Sequence, residues 1–175
     1  MNGVNSKKTA ANVIGVICFF VFVIIDQVTK TAALANLKDQ QPHVLVDNVF
    51  ELFYLENRGA AFGILQGQKI LFVIITIAIL AVIFYVFVRL PATKRFYPLR
   101  VLLVLVAAGA FGNFIDRTRQ GYVVDFFYFK AINFPIFNVA DIYVTCGAIL
   151  LVIVILFYYK DEDLKQLKTA LSFKR

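Results

Sequence analysis

The sequence predicts an all-α membrane protein: four transmembrane helices with a small β-sheet platform on the outer, extracytoplasmic face. Three observations carry that prediction. Of 175 residues, 61% are hydrophobic and the mean hydropathy is +0.78, too apolar for a soluble domain of this length. Four apolar runs, near residues 13–28, 70–90, 99–115 and 139–159, are long enough to cross about 30 Å of hydrocarbon. The basic residues gather in the tails and short loops between those runs, which reads as membrane topology. The whole chain, 1–175, is expected to form a single integral membrane domain.

The first run follows Lys7 and Lys8 and could pass for a cleaved signal sequence, but no small-residue cleavage site follows it and Asp26 and Lys30 close it instead. It is read as a retained helix. The connection between the second and third runs is flanked by Arg89, Lys94, Arg95 and Arg100 without an acid, and the tail 160–175 carries Lys160, Lys165, Lys168, Lys174 and Arg175. The positive-inside rule assigns these segments and both termini to the cytoplasm. The net charge of +7 is thereby explained without nucleic acid, since no basic-aromatic groove pattern accompanies it.

The outer loops, 31–69 and 116–138, are longer than a simple connection needs. In the first, Val44–Val46 and 49–55 are β-prone stretches separated by Asp47-Asn48, a hairpin signal. Asn57-Arg58-Gly59 then breaks the pattern ahead of Ala60-Ala61-Phe62-Gly63. After the fourth span, residues 161–172 set Leu164, Leu167 and Leu171 at helical spacing, with acids in the first turn and lysines later. That suits a surface helix at the cytoplasmic interface.

Ionisable residues near hydrocarbon are costly and tend to mark function. Here the polar residues of the spans converge on the outer side: Asp26 at the end of the first helix, Asn113, Asp116 and Arg117 at the end of the third, Asp125 in the second loop, and Asn138 and Asp141 at the start of the fourth. A polar residue at a helix end can equally be a cap or an anchor, and Asp26 is open to both readings. Asp116 beside Arg117 reads as a local ion pair before it reads as a catalyst. Asp141 stands in an otherwise apolar span, where a cap would not require it.

Elimination narrows the chemistry. The only serines, Ser6 and Ser172, lie in the cytoplasmic tails, and the only histidine, His43, suits a rim position. Cys18 and Cys146 sit inside apolar runs and are assigned to packing. Neither a metal nor a cofactor is indicated. Carboxylates remain: two aspartates sharing a water and one proton can hydrolyse a peptide bond. Asp125 and Asp141 are the best pair, separated by a stretch that folds back around Pro135. Spacing alone makes this a weak signal.

Read as motifs, the segments resemble lipoprotein signal peptidase, signal peptidase II, the bacterial membrane aspartyl protease. The resemblance is carried by Asp26-Gln27-Val28-Thr29-Lys30, Asn57-Arg58-Gly59-Ala60-Ala61-Phe62-Gly63, Gly112-Asn113-Phe114-Ile115-Asp116-Arg117, Gly121-Tyr122-Val123-Val124-Asp125-Phe126 and Phe137-Asn138-Val139-Ala140-Asp141, in that order. It implies that Asp125 and Asp141 are the catalytic dyad, with Asp26, Lys30, Asn57, Arg58, Gly109, Asn113, Asp116, Arg117 and Asn138 supporting it or binding substrate. It also implies an activity: an endopeptidase that cuts diacylglyceryl-modified prolipoproteins before the lipidated cysteine, at the outer face of the bacterial cytoplasmic membrane. Membrane lipids are implied partners, and a cyclic peptide antibiotic of the globomycin type is the implied inhibitor. Gly63 and Ile142 depart from the family's pattern, which bears on pocket details and not on the reaction. A proton-coupled transporter and a non-catalytic scaffold are the rival readings. Clustering of the acids on one side, with no path across the membrane, argues against the first.

Overall fold

The computed structural model describes residues 2–59 and 68–172. The part of the second motif running from Ala60 to Gly63 therefore lies outside the described residues. Among the described residues, four helices are long and apolar enough to cross a membrane, spanning Lys8–Leu37, Lys69–Arg89, Lys94–Gln120 and Val139–Tyr158. They belong to α1 (Asn2–Leu37), α2 (Lys69–Arg89), α3 (Tyr97–Gln120) and α4 (Val139–Ile153), the last prolonged by a π-turn over Val154–Tyr158. In α3 61% of the most apolar window is buried, against 6–11% in the other three spans. The bundle is therefore built around α3, and α1, α2 and α4 turn most of their surface outward to where lipid would lie.

Two helices run further than their apolar stretches. α1 continues nine residues past Val28 because Ala32, Ala33, Leu34 and Ala35 are good helix formers, and Ala33 buries against Val124 and Phe126. α3 continues past Ile115 to Gln120 and stops at Gly121, whose φ of 84° supplies a left-handed cap that returns its N–H to the Arg117 carbonyl. Asp26, Asp116 and Arg117 thus stand inside helices, not at their ends or in a loop.

The platform is a three-stranded antiparallel sheet in the order β1 (His43–Val46), β2 (Phe50–Asn57), β3 (Val123–Phe129). The β1–β2 turn falls at Asp47-Asn48 as expected, with Asn48 at a φ of 55° and Val49 N–H bonded to the Val46 carbonyl at 3.0 Å. The third strand was not expected, although Val123-Val124-Asp125-Phe126-Phe127-Tyr128-Phe129 is rich in β-branched and aromatic residues. After β3 a 3₁₀ turn (Lys130–Ile132) and Asn133, with a φ of 47°, reverse the chain. Phe137 then bridges back to Phe127 through a pair of hydrogen bonds at 3.1 and 2.8 Å. This fold-back around Pro135 sets the start of α4 beside the middle of β3.

At the opposite end of the bundle Leu90, Phe96, Leu99, Leu103 and Tyr159 form a buried cluster against which Leu167 packs. Leu167 belongs to α5 (Asp161–Leu171), the expected C-terminal helix. Arg95 ties α5 down by pairing with Asp163 at 2.8 Å, and Tyr85 Oη donates to the Leu171 carbonyl at 2.6 Å.

Candidate active site

Where the sheet meets the bundle lies a pocket of about 910 Å³, walled by β2, β3, the β3–α4 connection, α3 and α4. Asn57, Arg58, Asn113, Arg117, Asp125 and Asp141 all face it. Asp125 comes from β3 and is fully buried. Asp141 is the third residue of α4.

Asn138 joins the two. It caps α4: its side-chain oxygen accepts from Asp141 N–H at 3.0 Å, and its own backbone N–H donates to Asp141 Oδ2 at 3.1 Å, a reciprocal capping box. Its amide Nδ2 is left to donate to Asp125 Oδ1 at 2.6 Å. Each carboxylate then takes one more amide. Asn57 Nδ2 donates to Asp125 Oδ2 and Asn113 Nδ2 to Asp141 Oδ1, both at 2.8 Å. Burial first, and the nearby charge of Asp141 second, push the Asp125 carboxyl up to about 7, against the hydrogen bonds from Asn57 and Asn138 that pull it down.

Behind this layer, and off the pocket, lies a second one built around a buried lysine. Lys30 is 3% exposed and pairs with Asp26 Oδ2 and Asp116 Oδ2, both at 3.0 Å. Gln27 Nε2 reaches Asp26, Asp116 and the Gly112 carbonyl. Asp26 Oδ1 accepts from Ala140 N–H at 3.0 Å and Asp116 Oδ2 from Val124 N–H at 3.2 Å, so the cluster clamps both the α4 start and β3. A Cβ on Gly112 would overlap the Asp26 carboxylate, and one on Gly109 the Ala140 carbonyl. Both glycines are what let α1 and α4 approach α3 this closely.

The expected Asp116–Arg117 pair does not form, because successive helical residues point about 100° apart. Asp116 turns inward to Lys30, while Arg117 donates to the Gly59 carbonyl at 3.2 Å and lies over the Phe72 ring at 4.8 Å. Arg58 is exposed, pairing with Glu56 at 2.9 Å and covering Tyr122 at 5.2 Å. Cys18 packs against the buried cluster as expected. Cys146 does not: it is exposed on α4 and faces the pocket. Gln27, which stands within the first motif, is not among the residues that the resemblance singles out, yet it bridges both aspartates.

The family model for signal peptidase (SPase) II matches residues 18–157, which takes in every residue of the pocket and of the cluster behind it. The chain belongs to the signal peptidase II family. Among relatives, the lipoprotein signal peptidase of Latilactobacillus sakei is 45% identical over 131 residues, covering 75% of this chain and 85% of the relative. That of Clostridium tetani is 42% identical over 147 residues, covering 82% and 92%. A solved bacterial membrane enzyme, determined by the in meso method at 2.3 Å resolution, superposes with a TM-score of 0.74 at 35% identity, covering 85% of this chain and 92% of that one. As a signal peptidase II this multi-pass membrane protein is a protease that removes signal peptides from prolipoproteins.

Proposed function

We propose that Asp125 and Asp141 are the catalytic dyad of this signal peptidase II, and that the bond cut is the one before the diacylglyceryl-modified cysteine. The observation that carries the reading is the Asn138 bridge, in which one residue donates to both carboxylates at the edge of one pocket. With its carboxyl pushed up to about 7, Asp125 holds the shared proton. Asp141, in the first turn of α4 where the helix N-terminus favours negative charge, is the carboxylate. Asp141 takes a proton from a water as its oxygen adds to the scissile carbonyl carbon, while Asp125 gives its proton to the carbonyl oxygen. Collapse of the tetrahedral species breaks the C–N bond. The departing amine takes the proton held by Asp141, and the oxygen's proton returns to Asp125. The signal peptide leaves with a new carboxylate and the lipoprotein with a cysteine amine.

In this reading Asn57, Asn113 and Asn138 hold the dyad, while Arg58 and Arg117 line the substrate's path. Asp26, Lys30, Asp116 and Gly109 act from behind, since none of them lines the pocket. The basic bias of Arg89, Lys94, Arg95, Arg100 and the C-terminal tail favours cytoplasmic termini. The dyad then lies at the outer face of the bacterial cytoplasmic membrane. Membrane lipids would surround α1, α2 and α4, and a cyclic peptide antibiotic of the globomycin type would compete for the pocket. The chain acts as one domain.

The test is purified protein incubated with a diacylglyceryl-modified prolipoprotein and with its unlipidated form, followed by gel shift. Cleavage of the lipidated form alone is expected. Equal cleavage of both would remove the lipid from the recognition.

A further inference from the structure

Asn113 stands between two groups of opposite hydrogen-bonding character. On one side is Lys30 Nζ, 2.8 Å from Asn113 Oδ1; on the other is Asp141 Oδ1, 2.8 Å from Asn113 Nδ2. An ammonium can only donate and a carboxylate can only accept. A donor-only neighbour on one side and an acceptor-only neighbour on the other leave the amide a single orientation. That orientation also leaves Oδ1 facing Asn138 Nδ2 at 3.2 Å, so the Asn138 amide, which reaches Asp125, is steadied by the same oxygen. Lys30 is itself held by its two ion pairs and is 3% exposed, so its direction is set by Asp26 and Asp116.

We propose that Lys30 is a positioning residue for the dyad: its ammonium, fixed between Asp26 and Asp116, holds the Asn113 amide so that Nδ2 faces Asp141 and Oδ1 faces Asn138. Without the lysine the amide loses the charged donor on its oxygen and is held only by Asp141 and Asn138, so it is free to tilt out of line with both. Asp141 then loses its side-chain donor and the Asn138 amide loses its acceptor. Lys30 makes no contact with substrate and supplies no proton. It acts through Asn113. The two ion pairs alone would be a structural clamp, whose loss lowers the amount of folded protein. The third bond, to Asn113, is what couples the clamp to the chemistry.

This rests on Asp125 and Asp141 being the dyad, so Asp141→Asn is carried through the same assays. The experiment compares Lys30→Met, Asn113→Ala and the two combined, each in detergent with a diacylglyceryl-modified prolipopeptide, with kcat and KM normalised to folded protein. Because Lys30→Met strands two buried aspartates, Lys30→Met with Asp116→Asn is made as well. That pair of changes keeps the cluster's net charge where it was. Lys30→Met, alone or with Asp116→Asn, is expected to lower kcat by about 10- to 100-fold with KM within about 3-fold, the size of effect that loss of an orienting partner has. In the Asn113→Ala background the same change should cost no more than about 3-fold further, since residues acting through one bond do not add. Additive losses, or a kcat per folded molecule equal to that of the parent, would overturn the proposal while leaving the dyad in place, provided that Asp141→Asn is inactive. An active Asp141→Asn would overturn the dyad, and this proposal with it.

Discussion

Asn138 meets Asp125 at 2.6 Å through its side-chain amide, using the one part of the residue that its helix cap leaves unused. The cap and the site are therefore separable by mutation. Asn138→Ser keeps an oxygen for the Asp141 N–H but is too short to reach Asp125. Both changes leave the buried Asp125 oxygen without its donor, at about 1–3 kcal/mol, and Asn138→Ala should cost about 1 kcal/mol more than Asn138→Ser because it also removes the cap. Both should lose cleavage by about 10-fold or more. Thermal unfolding in detergent and initial rates on one preparation check this, and an active Asn138→Ser would show that the bridge to Asp125 is dispensable.

The raised Asp125 carboxyl makes two predictions about pH. Its folded value of about 7 lies above the reference 3.8, so the folded protein binds the proton more tightly than the unfolded chain. The corresponding stability is full below 3.8, declines as pH rises through the interval, and is lost above about 7. Asp125→Asn does not titrate, so its stability relative to the parent should rise from pH 4 to pH 8 and then level off. Parent activity should fall as pH climbs past about 7 and Asp125 gives up its proton. Paired melting curves and rate–pH profiles measure both.

Gly109 tests helix approach without touching the pocket. A methyl group there meets the Ala140 carbonyl and the Val144 side chain, so α4 must move away from α3 and carry Asn138 and Asp141 with it. Gly109→Ala should destabilise by about 1–3 kcal/mol, as overpacking does. It should also lower kcat in the molecules that remain folded. Gly121→Ala, which meets no neighbour but sits at a φ of 84°, should cost stability through backbone strain and spare kcat.

Orientation is tested by a reporter active only outside the cytoplasm. Fused after Arg175 it should stay silent, and inserted near Gln40, between α1 and β1, it should be active. The reverse pattern would turn the site to the cytoplasmic side.

Much of this architecture could be read from residue order because its signals are local. Four apolar runs and the Asp47-Asn48 turn need only neighbours in sequence, and the acidic start and spaced leucines of α5 are likewise local. β3 carries a local signal too, but it overlaps the motif holding Asp125 and falls inside the expected outer loop 116–138. The partners of Asp116 could not be read. Adjacent Arg117 looked like its counterion, whereas Lys30, 86 positions earlier, becomes its neighbour only when α1 packs on α3. The same holds for Ala140 N–H on Asp26, 114 positions away. The i,i+4 spacing of Asp26 and Lys30 was the one visible trace of the buried cluster. The roles of the site aspartates came through resemblance, since two aspartates separated by a loop have no periodicity that marks them.

A need for both Asp125 and Asp141 in hydrolysis is measured by cleavage of a diacylglyceryl-modified prolipopeptide by Asp125→Asn and Asp141→Asn, followed by mass spectrometry. Asparagine keeps the size and polarity of each side chain but cannot shuttle the proton. The parent should release the signal peptide with its new terminus just before the lipidated cysteine. Both variants should be inserted and folded, with cleavage at least about 10³-fold slower. Either variant, equally folded, cleaving within about tenfold of the parent's rate would contradict that need.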